Sequence, residues 1–185
     1  MSLYDVFEKF CEASAGVIRW KDGRRARTRF ALDFFKSYAS SMQWNGPHLE
    51  YMSIDVIWRD PYSGYIVFAV EHENKGDVES FVKGEISHLA DLKSLNKVAI
   101  TYPHAGEETQ ILEAVKTAIG QRVNLSSNTF GEDYLIILGF PTWQSKQRAI
   151  RWNGYFLNNE GKLLNSREKV VSQSERRSEL EESNR

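Results

Sequence analysis

Three acidic residues stand where the chain is otherwise apolar: Asp55 within Ile54-Asp55-Val56-Ile57, and Glu71 and Glu73 at the end of Tyr65-Ile66-Val67-Phe68-Ala69-Val70-Glu71-His72-Glu73. Carboxylates drawn together at the edge of a core repel one another and lose hydration, so they require a compensating positive charge. A hard divalent cation supplies it. Mg2+ takes one or two carboxylates and completes its shell with water and phosphate oxygens, and Mn2+ accepts the same donors. Such an ion lowers the pKa of bound water and grips a phosphoryl oxygen, which is the chemistry of phosphodiester hydrolysis. One acid in such a place is ordinarily a solvated or ion-paired strand end; three on two apolar strands favour a metal site. Asp55, Glu71 and Glu73 are therefore the candidate metal ligands.

These residues need elements to position them. His48 to Arg59 alternates with a period of two and reads as one strand, and Asp60-Pro61-Tyr62-Ser63-Gly64 is a turn. Tyr65 to Glu73 is a strand apolar enough to be buried on both faces. Pairing the two as a hairpin sets Asp55 beside the two glutamates. Residues two apart share a face, so Val67, Ala69, Glu71 and Glu73 point one way and His72 the other.

Upstream, Ser2 caps a helix over residues 3–14, and Phe30, Phe34, Tyr38 and Met42 mark a second helix that ends before Asn45-Gly46-Pro47. Downstream, Val78, Val82, Ile86, Leu89 and Leu92 mark a third helix. A strand over Lys97–Tyr102 follows, then a fourth helix through Ile111 and Ile119 capped by Gly120, then a strand over Tyr134–Phe140 closed by Pro141. A last hairpin spans Asn153–Leu164. Strand–helix–strand steps demand right-handed crossovers, so parallel strands lie beside the hairpin. The expected fold class is α/β (α+β), a mixed central sheet flanked by helices, with one domain over residues 1–164. Residues 165–185 are charged, serine-rich and without an aromatic residue, and read as a disordered tail.

The placement of Asp55, then Glu71-His72-Glu73 sixteen positions later, resembles the signature of the PD-(D/E)XK, or restriction-endonuclease-like, nuclease superfamily. The resemblance covers about residues 3–102 and implies an α-β-β-β-α-β core. It also implies a Mg2+-dependent endonuclease-like hydrolase acting on nucleic acid, DNA in the first instance. Ile54 replaces the proline of the signature, and Glu73 stands at its lysine position. Glu73-Asn74-Lys75 offers a second register, and Lys75 or Lys83 could supply the missing cation; the resemblance implies that Glu73 or Lys75 orients or deprotonates the attacking water. Glu8 or Glu12 could provide the extra helix-borne acid that some members carry, although a solvated helix face explains both. Retention of the fold without the lysine would instead give a non-catalytic module that binds nucleic acid or a protein partner.

Nucleic acid would need local positive charge, because the net charge is only −1. Arg19, Lys21, Arg24, Arg25, Arg27 and Arg29 interleave with Trp20 and are opposed only by Asp22, a mixture suited to phosphate contact and base stacking. Lys146, Arg148 and Arg151 read as a solvated helix face. No target-recognition module is evident, so sequence-specific cleavage would call for a homodimer or a protein partner. A single cysteine, Cys11, excludes an internal disulfide and points to a reducing compartment, the cytoplasm. No run approaches the ~20 apolar residues of a membrane span. The N-terminus lacks the basic-then-apolar order of a signal peptide. The four histidines have no zinc-site spacing, and phosphate-loop, dinucleotide and esterase motifs are missing.

Overall fold

The computed structural model describes residues 2–18, 23–74, 77–123, 132–145 and 147–172. Ser2 opens α1 (Leu3–Ser14) by accepting the Tyr4 N–H on its hydroxyl at 3.1 Å. Helix α2 (Gly23–Ser41) follows, then β1 (Asn45–Tyr51), β2 (Ile54–Arg59) and β3 (Ile66–Glu73). A helical stretch comes next in three parts: α3 (Val78–Phe81), a π-helical segment (Val82–Ile86) and α4 (Ser87–Asp91). Strand β4 (Asn96–Thr101), helix α5 (Glu108–Val123) and strands β5 (Asp133–Gln144), β6 (Gln147–Asn158) and β7 (Leu163–Ser172) complete the order.

All seven strands form one mixed sheet in sequence order, β1-β2-β3-β4-β5-β6-β7. The three central strands β3, β4 and β5 run parallel, and both flanks are antiparallel. Each face carries its own core. On one, Phe7 and Phe10 of α1 and Phe35 of α2 pack against Trp58, Phe68, Ile100 and Trp152. On the other, Phe81, Ile86, Leu89, Ile111 and Val115 cover Ile57, Ala69, Ala99 and Ile136. The mixed α/β class expected from the sequence is the class observed.

Several boundaries differ from the sequence expectation, each for a local reason. His48–Arg59 is two strands: Met52 and Ser53 take positive φ (51° and 66°) and turn β1 back on β2, Tyr51 pairing with Ile54. Two positive-φ residues make a tight hairpin turn, but Met-Ser carries none of the usual Asn-Gly signal. The buried face of α2 runs through Ala31, Phe35 and Tyr38, with Phe30 and Phe34 only partly covered. Gly120 does not end α5; a Cβ there would lie 3.1 Å from the Glu160 carbonyl, so the glycine admits the β6–β7 turn. Pro141 does not close β5. By then β4 has ended and β6 is the only strand alongside, a place where a sheet tolerates proline.

Arg148 and Arg151 lie on β6, not on a helix. Residues 165–172, expected to begin a disordered tail, pair with β6 as β7 from Asn165↔Phe156 to Ser172↔Ala149. There Lys169 reaches Glu8 (2.6 Å) and Glu12 (3.3 Å) on α1, and Val171 is buried. The domain therefore extends past residue 164. Glu8 and Glu12 serve this strand rather than the acid cluster. Residues 173–185 lie outside the described residues.

Candidate metal centre

The acids gather at the carboxyl end of β3, where the parallel strands stop. Ligands of open α/β sheets settle in this position because the chain ends leave a crevice there. Asp55 and Glu71 are joined through the backbone of each other's strand. The Asp55 N–H donates to Oε2 of Glu71 at 3.1 Å, and the His72 N–H donates to Oδ2 of Asp55 at 2.8 Å. Glu73 lies one row further out, paired in register with Thr101 of β4, and acts electrostatically on Asp55. Asp55 and Glu71 thus meet at one corner of the sheet, with Glu73 beside them.

Two residues that the sequence reading passed over complete the corner. The helical stretch after β3 lays Glu85 and His88 over Glu71. Ligand atoms of Glu71, Glu85 and His88 all lie within 4.8 Å of one another, and Nδ1 of His88 is 3.5 Å from Oε1 of Glu71. Glu85 and His88 are three residues apart, the spacing that puts two side chains on one helix face. That Glu-x-x-His spacing was the available signal. Glu85 lies in the π-helical segment and His88 one turn later; such wide turns recur at functional sites because they re-aim side chains.

The electrostatics are those of an anion lacking its cation. Glu71 is 1% exposed, and its Oε1 has no hydrogen-bond partner. Burial pushes its carboxyl up to about 10, and the charges of Glu85 and Asp55 add to that. Glu85 is raised by burial and by Asp55 and Glu73, Asp55 chiefly by burial. Glu71 and Glu85 therefore resist ionising together. The opposite end of the sheet offers a contrast. The buried ammonium of Lys97 is met by Glu132 at 2.5 Å and by the Tyr134 hydroxyl at 3.1 Å. The buried ammonium has its counter-charge, whereas the buried carboxyl of Glu71 faces other carboxylates, with only the His88 ring 3.5 Å away.

The expected cations fall differently. Lys83 does not approach the acids: it is exposed and bonds Glu79 at 2.5 Å, four residues back on the solvent side. Lys75, Arg19 and Lys21 lie outside the described residues. Arg24, Arg25 and Arg29 are exposed on the first turns of α2. Arg27 is not a surface contact. It is buried at 8% exposure, with its guanidinium 4.4 Å above the Tyr102 ring. Asn74 donates to the Thr28 hydroxyl at 2.6 Å, so the basic start of α2 meets the same end of β3 as the acids, on the other face. His72 points to that face, as its alternation requires. Its Nε2 is 3.2 Å from the Tyr102 hydroxyl, and burial, with Arg27 nearby, lowers its pKa to about 4.

Among the described residues no helix is long and apolar enough to cross a membrane. No protein-family model matches this chain, and no curated protein matches its sequence.

Proposed function

We propose that the protein is a divalent-metal-dependent nuclease that hydrolyses phosphodiester bonds, in DNA before RNA, with Mg2+ or Mn2+ held by Asp55 and Glu71. The observation that carries this reading is the meeting of two carboxylates, Asp55 and the buried Glu71, each bonded to the other strand's backbone at the carboxyl end of the parallel strands. Two carboxylates, with Glu73 one row out, fit a hard cation that keeps waters and takes a phosphate oxygen. The ion, when bound, would activate a water and draw off charge from the phosphate. Asp55 and Glu71 would hold it. Glu73 would accept a proton or a hydrogen bond from the water, and Lys75 is the alternative for that role.

Two further features support the reading. The order helix, three-strand meander, helix, parallel strand is the order that the PD-(D/E)XK resemblance implies. Arg24, Arg25 and Arg29 are exposed on the first turns of α2, available to a polyanion.

A non-catalytic nucleic-acid or protein-binding module is the second reading. Lys83 turned toward Glu79 and Glu73 at the lysine position favour it. Cleavage of single- and double-stranded DNA with Mg2+ or Mn2+ decides between them. Asp55→Ala is expected to lower a metal-dependent rate by about a thousandfold, the several kcal/mol that a metal ion supplies. A wild-type rate in Asp55→Ala would sink the assignment, and DNA binding without cleavage by the wild type would select the second reading.

A further inference from the structure

We propose that Glu71, Glu85 and His88 form a second ion site, selective for a transition-metal dication such as Zn2+, Mn2+ or Co2+, with Glu71 bridging to the ion on the Asp55 side. The two oxygens of Glu71 face different ways. Oε2 accepts the Asp55 N–H and so belongs to the β2 side. Oε1 faces the helical stretch, 3.5 Å from Nδ1 of His88, and no hydrogen bond reaches it. Nδ1 of His88 is likewise without a hydrogen-bond partner.

The spacing suits an ion. Ligands about 2.1 Å from a tetrahedral centre sit about 3.4 Å apart. The separation of Glu71 from His88 already matches that edge, and the whole trio fits within 4.8 Å. The donor set selects the metal. Two carboxylates with one imidazole suit Zn2+, Mn2+ or Co2+, whereas Mg2+ avoids nitrogen and demands oxygen ligands. His88 is partly exposed, its side chain 40% accessible, so an ion can enter from solvent. The surroundings hold the ligands in place: Ile86 and Leu89 are fully buried on either side of His88, and Ser87 bonds the Val82 carbonyl at 3.0 Å across the wide turn.

The second site rests on the nuclease reading only through Glu71, and binding tests it without any assay of cleavage. The full chain, stripped of metal, would be titrated with Mn2+ and Zn2+ in wild type, His88→Gln and Asp55→Asn. The readouts are the number of ions bound and nitrogen hyperfine coupling to bound Mn2+ in pulsed electron paramagnetic resonance. Wild type is expected to bind two Mn2+ ions with nitrogen coupling. His88→Gln should lose the coupling and one ion and bind Zn2+ more than about 100-fold more weakly, beyond the effect of losing an outer partner. Asp55→Asn should keep the coupled ion. Wild-type Mn2+ without nitrogen coupling, or coupling that survives in His88→Gln, overturns the proposal. DNA cleavage with Mg2+ alongside no coupled ion removes the second site and leaves the nuclease reading standing; a coupled ion in a protein that cleaves nothing does the reverse.

Discussion

Replacing Glu71 with glutamine should stabilise the metal-free protein, and by an amount that grows with pH. In the unfolded chain Glu71 ionises near its ordinary value of 4.5, whereas in the fold burial raises it to about 10. Folding at neutral pH therefore takes up a proton. A carboxyl whose folded pKa is raised contributes its full stability below 4.5 and loses it as pH climbs toward 10. At pH 8 the loss is the distance from 4.5, 3.5 pH units, or at most about 5 kcal/mol at 1.36 kcal/mol per unit.

Glutamine is neutral at every pH. Its carbonyl can keep the Asp55 N–H bond, and its amide can donate toward Glu85. Glu71→Gln should match wild type near pH 4.5 and exceed it by several kcal/mol at pH 8, which is about 10 °C in melting temperature for a domain of this size. Differential scanning calorimetry from pH 5 to 9, in chelator, measures it. Excess Mn2+ should invert the order, since it raises the wild-type melting temperature and has no effect on the variant. A Glu71→Gln protein less stable than wild type at pH 8, or a difference flat with pH, would refute the picture of an uncompensated buried carboxyl.

Three further outcomes are expected. In the Glu71→Gln background, stability should fall as pH drops from 6.5 toward 4, by up to about 3 kcal/mol, because buried His72 has its pKa lowered to about 4 while the unfolded chain takes up the proton near 6.5; denaturant melts at pH 7 and pH 4.5 would show it. Phe10→Ala should cost about 3–5 kcal/mol in the same melts, since Phe10 is fully buried against Phe30, Phe34, Phe35 and Trp152. Ending the chain after residue 164 should unfold or aggregate the protein, because it strips β7 from β6 and removes the Lys169 contacts to α1; proteolysis and size-exclusion chromatography report either result.

Much of this corner is legible in the sequence because its signals are local. Glu71 and Glu73 interrupt an apolar run, and strict alternation on β3 assigns His72 and Glu71 to opposite faces. The partners Glu85 and His88 are harder to see. They sit on a helix whose facing toward Glu71 depends on a π-helical turn, and nothing in Val82-Lys83-Gly84-Glu85-Ile86 announces one. The charges of Arg24, Arg25, Arg27 and Arg29 are plain, but the inward turn of Arg27 depends on Tyr102, far along the chain. Strand β7 escapes because Asn165-Ser166-Arg167-Glu168-Lys169 reads as a solvated tail; what orders it is the edge of β6 and the acids of α1, a tertiary matter that composition does not report.

The wide turn between α3 and α4 also sets the phase of everything on that helical stretch. Phe81 and Ile86 are both fully buried in the same core. In an unbroken α-helix five residues sweep 500°, which would leave these side chains about 140° apart around the axis. The π-helical segment absorbs that mismatch, so both can face the sheet while Glu85 and His88 remain over Glu71. Deleting Gly84 would leave Phe81 and Ile86 four residues apart, 400° or about 40° around an ordinary α-helix, so both could stay against the sheet. The wide turn thus takes in one extra residue while the packing of Phe81 and the facing of Glu85 and His88 are both kept.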